Sequence, residues 1–90
     1  MATLALGGTY ATPGALAALE ESHQTPAEFL SRHEGGDWGE VGPEDWESNE
    51  EAFGGEGRLL SAYTLKTGVK IWIITEWDRS VTTILLPDEY

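Results

Sequence analysis

This ninety-residue chain contains no cysteine. That excludes a disulfide framework, thiolate chemistry and any zinc site built on Cys ligands. Basic residues are scarce: Arg32, Arg58, Lys66, Lys70 and Arg79 stand against sixteen acidic side chains, for a formal net charge of −11. DNA, RNA and anionic membranes are approached through clustered Lys and Arg, so a field of this sign disfavours direct binding to any of them. No stretch approaches the ~20 apolar residues of a membrane span. The opening run, MATLALGGTYATPGALAALEE, lacks a basic n-region and is broken by Gly7, Gly8, Pro13 and Gly14. No secretory signal is expected in it, and a cytoplasmic location is.

With 40% hydrophobic residues, the chain holds enough apolar material for one small domain with one core. Thr12-Pro13 and Thr25-Pro26 each place a capping hydroxyl before a proline at the first helical position, which predicts helices over 13–22 and 26–34. Glu28, three residues after Thr25, completes the pattern of a capping box. Leu16 and Leu19 fall on one face of the first helix beside Ala15; Phe29, Leu30 and His33 do so on the second. Gly35-Gly36 stops the second helix with left-handed backbone. A helix pair of this kind could read DNA, but Arg32 and His33 stand beside Glu28 and Glu34 on the second helix, a poor match to a base-reading surface.

Between the helices and the C-terminal third lies GGDWGEVGPEDWESNEEAFGGEG, residues 35–57, with eight acidic side chains, two tryptophans and no lysine or arginine. Gly42-Pro43 predicts a third helix over 43–53. On 3.6-residue spacing Trp46, Glu50 and Phe53 share one side, while Glu44, Glu47 and Glu51 line another. A plain solvated linker gives no reason for aromatics at helical spacing. The expectation is therefore an amphipathic helix anchored through Trp46, with its acidic side outward. Trp38, in a glycine-flanked loop, can fold over the helix pair or face a partner.

From Arg58 onward the period changes to that of strands. Arg58–Lys66, Val69–Trp77 and Val81–Leu86 are rich in β-branched, aromatic and aliphatic residues and are separated by turn material. The expected fold class is α+β: N-terminal helices packed on one face of a three-stranded antiparallel meander, with a short extra N-terminal strand as an option. Val69, Ile71, Ile73, Thr75 and Trp77 form the helix-covered face. Lys70, Trp72, Ile74 and Glu76 form the other, either covered by Leu4–Ala11 or open as a contact patch.

Chemical candidates are few. His33 and Asp37 lie four apart, near Glu34, a spacing suited to a divalent metal or an acid–base pair, although Gly35-Gly36 breaks the helix between them. The Gly-Gly pairs have no nucleotide-loop context, and no serine sits in a nucleophile motif. No catalytic residue, metal or cofactor is expected.

The run EFLSRHEGGDWGEV, with RLLSAYTLKTGVKIWIITEWDRSVTTILLPDEY after it, resembles a family of small bacterial proteins of plasmids, integrated elements and phages. Its members are labelled plasmid-related or hypothetical, and some are associated with type I restriction systems. The likeness runs from about Ala11 onward and rests on Arg32-His33 with Gly36-Asp37-Trp38-Gly39, and on the Lys70–Leu86 hairpin. It implies a mobile-element accessory protein of similar α+β fold and carries over no catalytic residue. Between Trp38 and Arg58 this chain is more acidic and glycine-rich than the usual pattern.

These readings converge on a non-catalytic acidic binding protein that occupies a basic nucleic-acid-binding surface of a host defence complex, as anti-restriction and anti-CRISPR inhibitors do. The candidate partner-binding residues are Asp37, Trp38, Glu40, Glu44, Asp45, Glu47, Glu50, Glu51 and Trp72. A regulatory or toxin–antitoxin component is the alternative, with the sheet face around Trp72 and Ile74 pairing with a protein partner or, as a homodimer, with itself. A small hydrolase or nuclease using His33 and Asp37 is a third.

Overall fold

The computed structural model describes residues 4–90. Strand β1 (Gly8–Ala11) leads into helices α1 (Pro13–Ser22), α2 (Pro26–Glu34) and α3 (Pro43–Phe53); strands β2 (Leu59–Thr64), β3 (Lys70–Thr75) and β4 (Val81–Leu85) follow, and a 3₁₀ turn, Pro87–Glu89, ends the chain. The sheet order is β1-β4-β3-β2. The β2-β3-β4 meander is antiparallel as expected, but the sheet is mixed, because β1 adds to β4 in parallel with Gly8 opposite Val81 and Ala11 opposite Ile84. The short extra N-terminal strand allowed for above is thus present as β1, and what the three-stranded meander leaves out is its parallel pairing, since Gly8–Ala11 has too few residues to show a period.

All three helices start at the proline that predicted them. Thr12 caps α1, its hydroxyl accepting from the Ala15 amide at 3.1 Å. The Thr25 box does not form: Thr25 makes no side-chain cap, and the Glu28 carboxylate accepts from Gln24 Nε2 instead at 3.0 Å.

Alternation in the strands divides the sheet into two faces. Leu59, Ser61 and Tyr63 of β2, Ile71, Ile73 and Thr75 of β3, and Thr82 and Ile84 of β4 are fully buried on the helix side. Ala15, Ala18 and Leu19 of α1 and Phe29 of α2 pack against Tyr63, Ile71, Ile73 and Ile84 in one cluster; Trp38, Ala52, Leu59 and Leu4 form a second. Three expected core positions lie outside: Leu16 is 48%, Val69 37% and Trp77 61% exposed. The strand ends explain the last two, since β3 stops at Thr75 and starts at Lys70, leaving both residues in turns where the pleat no longer aims them.

The opposite face, carrying Trp72 and Ile74, is not covered by Leu4–Ala11. Leu4 packs on the helix side, and Gly8–Ala11 is spent as the edge strand. The C-terminal turn takes that place instead. Tyr90 meets the Trp72 ring edge-on at 5.9 Å, while the Arg58 guanidinium lies over the Tyr90 ring and donates to its hydroxyl. Glu89 fastens this turn by accepting from the Thr12 hydroxyl at 2.5 Å and the Leu86 amide at 2.7 Å.

Candidate protein-binding surface

Residues 35–57 are built against the sheet rather than strung past it. β2 is an edge strand, so its outward amide and carbonyl groups at Leu60 and Ala62 need partners. The Asn49 side chain of α3 supplies both for Leu60: its Nδ2 donates to the Leu60 carbonyl at 2.7 Å, and its Oδ1 accepts from the Leu60 amide at 3.1 Å. For Ala62 the loop before α3 does the same, the Trp38 carbonyl accepting from its amide at 3.1 Å and the Glu40 amide donating to its carbonyl at 2.7 Å. Glu40 closes the row by accepting from the Thr64 hydroxyl at 2.6 Å. Gly39 is required at this bridge. Its φ is +74°, and a Cβ there would lie 2.0 Å from the Ala62 carbonyl oxygen.

Trp38, offered above as a partner-facing candidate, is completely buried and cannot present its ring to another protein. It meets His33 and Phe53 edge-on at 5.6 Å each, and its indole N–H donates to the Glu50 carboxylate at 2.7 Å. Trp46 shows the reverse correction. It is 38% exposed, because the inward stripe of α3 is carried by Asn49 and Ala52 with Phe53 half-buried beside them. The periodicity named the right helix but set its buried face about one residue off, since a buried Asn carries no hydrophobic signal.

The C-terminal end of α3 is held by a residue that the sequence marked only as turn material. Arg79, at the tip of the β3–β4 hairpin with φ +62°, donates to the carbonyls of Ala52 and Gly57 at 2.6 Å, Gly55 at 2.9 Å, Trp77 at 3.1 Å and Glu76 at 3.3 Å. A guanidinium suits the negative end of a helix and reaches several acceptors at once. The same bonds set the Glu76-Trp77-Asp78 turn, with Trp77 well exposed, next to the end of α3.

Asp37 is not free to act alone. Its carboxylate pairs with Arg32 at 2.7 Å and accepts from the Gly39 amide at 3.1 Å, and its carbonyl accepts from the Tyr63 hydroxyl at 2.6 Å. The Arg32 bond holds the Asp37 carboxyl below its usual range, and Arg32 itself sits 4.4 Å over the Tyr63 ring. Burial pushes the Tyr63 phenol up to about 12. Glu44, Asp45, Glu47 and Glu51 are exposed, and among the described residues the Arg32–Asp37 contact is the one ion pair formed. Trp72, the remaining candidate, is half-buried beneath Tyr90 on the other face of the sheet and does not join this group.

His33 and Asp37, four apart in sequence, are not brought together as an acid–base pair. His33 is fully buried, with Nδ1 2.5 Å from the Ser61 hydroxyl and Nε2 2.8 Å from that of Thr75. Thr75 and Thr82 share a hydrogen bond of 2.8 Å, and the Thr82 hydroxyl donates to the Leu6 carbonyl at 2.7 Å. That last carbonyl can only accept, so the polarity of the whole row is set: Thr75 donates to Thr82, His33 Nε2–H donates to Thr75, and Ser61 donates to Nδ1. The imidazole is neutral, its pKa pushed down to about 4 by burial. The distinctive Arg32-His33 and Gly36-Asp37-Trp38-Gly39 residues thus serve as a clamp that seats the acidic segment on β2.

No family model, curated protein or solved structure matches the chain.

Proposed function

We propose that this chain is a non-catalytic acidic binding protein of a mobile genetic element, acting by covering the basic, nucleic-acid-binding surface of a host defence complex. The observation that carries the reading is the attachment of α3. Asn49, Ala52, the Trp38–Glu50 bond and Arg79 hold the helix while Glu44, Asp45, Glu47 and Glu51 stand in solvent, without cationic partners among the described residues. Like charges held in a row cost stability, which a solubilising tail avoids by staying loose. A fixed row suits recognition, because it steers a positive partner and offers it a surface that loses little entropy on binding. Trp46 is exposed on the same helix and Trp77 in the turn that Arg79 ties to the end of α3, and both are apolar side chains of the type that carry binding energy at interfaces. The mobile-element and host-defence part of the proposal rests on the resemblance of the Arg32–Gly39 and Lys70–Leu86 motifs.

The test is affinity capture from a bacterial lysate at low and at high salt, with the Glu44→Gln, Glu47→Gln, Glu51→Gln variant as control. A nucleic-acid-handling protein recovered by the parent at low salt, and lost with the variant, supports the proposal. Equal recovery by both proteins at every salt concentration contradicts it.

A further inference from the structure

The two edges of the sheet are treated in opposite ways. The β2 edge is closed by Asn49, the Trp38–Glu40 bridge and Glu40, whereas the β1 edge is bare. Gly8 and Thr12 donate to the Ser80 and Ile84 carbonyls on the β4 side at 3.0 Å each, so alternation aims the amides and carbonyls of Thr9 and Ala11 outward. Among the described residues no loop or side chain caps them. Around this edge lie Tyr10, 61% exposed, and Leu16, 48% exposed, which border a shallow apolar groove with Pro26 and Leu30.

We propose that the β1 edge is a homodimer interface, in which two copies pair antiparallel about a two-fold axis at Tyr10 to make one continuous eight-stranded sheet. Three features select a second copy of this chain over another partner. The edge is self-complementary: an antiparallel match puts Thr9 opposite Ala11 of the other copy, so that every outward group on both strands finds a bond, and it sets the two Tyr10 rings directly across from one another as an aromatic cross-strand pair. Charge permits it. The strand itself and its flanks from Leu4 to Leu19 carry no charged side chain in a chain of net charge −11, and the carboxylate that the structure places beside them, Glu89, lies at the end of the strand bonded to the Thr12 hydroxyl. Geometry favours it as well, because β2 and α3 lie at the far side of the sheet. At about 4.8 Å per strand, the two β2 strands of the dimer stand about 34 Å apart, several times the ~8 Å screening length, and both acidic surfaces stay free.

Four ladder bonds and one aromatic pair make a weak dimer, visible at about 10 µM to 1 mM. Sedimentation equilibrium of the purified protein over that range should show a species of twice the 9.8 kDa chain mass that grows with concentration. It should grow further with salt, since screening relieves the repulsion between two anions; an acid–base contact would weaken instead. Tyr10→Lys sets like charges opposite each other at an exposed position and should lower the association constant by about tenfold or more. Thr9→Pro removes an outward donor without touching the β4 ladder and should do the same. Amide exchange at Thr9 and Ala11 should slow in the dimer. A chain that stays monomeric to about 1 mM overturns the proposal, as does a dimer unaffected by both variants or protected elsewhere, at the Trp72 face for instance. Neither outcome touches the reading of α3, whose test is binding to a basic partner.

Discussion

At position 33 a histidine does the work that a core leucine cannot, by satisfying hydroxyls on two strands at once. Removing it with His33→Ala leaves a cavity and strips Ser61 of its acceptor, so the variant should lose about 3 kcal/mol in denaturant unfolding while remaining folded in the cold. The pH dependence follows from the same burial. The native imidazole takes a proton only near pH 4, whereas the unfolded chain takes it near 6.5. Between those values the unfolded state binds more protons. Stability is therefore fully present above about pH 6.5 and falls with acidification toward pH 4, by about 3 kcal/mol in all and at most ~1.4 kcal/mol per pH unit. Urea midpoints from pH 7 to 5, above most carboxylate titration, should show that slope in the parent and lose it in a His33→Gln variant. A parent whose stability is level across that window would show that the imidazole is not buried neutral.

The two tryptophans of the acidic segment provide a sharper contrast. Trp38→Ala empties a fully buried site and leaves Glu50 without its indole donor, and should cost about 3–5 kcal/mol. Trp46→Ala, at a site 38% exposed, should cost no more than about 1–2 kcal/mol. Reading the sequence alone reverses this order, since Trp46 sits at helical spacing with Phe53 and Trp38 sits between glycines. The difference lies in Gly39, whose left-handed backbone brings the loop against Ala62 and turns the Trp38 ring inward. A contact between residues so far apart along the chain leaves no mark in local periodicity.

Among the elements, the helices were the most legible, because each begins at a proline behind a residue that suits an N-cap, and the spans 13–22, 26–34 and 43–53 are those observed. The meander was legible through its β-branched runs. The parallel pairing of β1, the Arg79 cap and the Tyr90 cover were not, for one physical reason: each depends on which distant groups need partners, and that is known only once the sheet exists. Asn49 illustrates the point. It reads as a polar helix residue, yet it completes the β2 ladder. Asn49→Ala should leave the Leu60 amide and carbonyl unpaired and cost about 2–4 kcal/mol, with amide exchange across Pro43–Phe53 accelerating as the helix loses its anchor. If exchange across that helix is already fast in the parent, α3 is not held and the fixed acidic row has no basis. Arg79→Lys should raise exchange selectively at the C-terminal end of α3, because one ammonium cannot span the carbonyls that the guanidinium holds.

For the molecule as a whole, charge is arranged in zones. The first nineteen residues are uncharged, the β2 side carries the acidic helix, and five cations are too few to offset sixteen carboxylates. Arg32 is paired with Asp37, Arg58 lies against Tyr90 and Arg79 is spent on carbonyls. The field around α3 is consequently left to act on whatever approaches. The central claim is that this fixed row of carboxylates captures a basic partner, and its most direct test is the association rate with the captured partner across a salt series, for the parent and for the Glu44→Gln, Glu47→Gln, Glu51→Gln variant. The variant should fold as well as the parent or slightly better, by a few tenths of a kcal/mol per relieved pair, and should associate about tenfold more slowly at low salt, with the gap closing as ionic strength rises. Equal association rates at low salt would contradict the claim and reduce the acidic helix to a cover for the edge of the sheet.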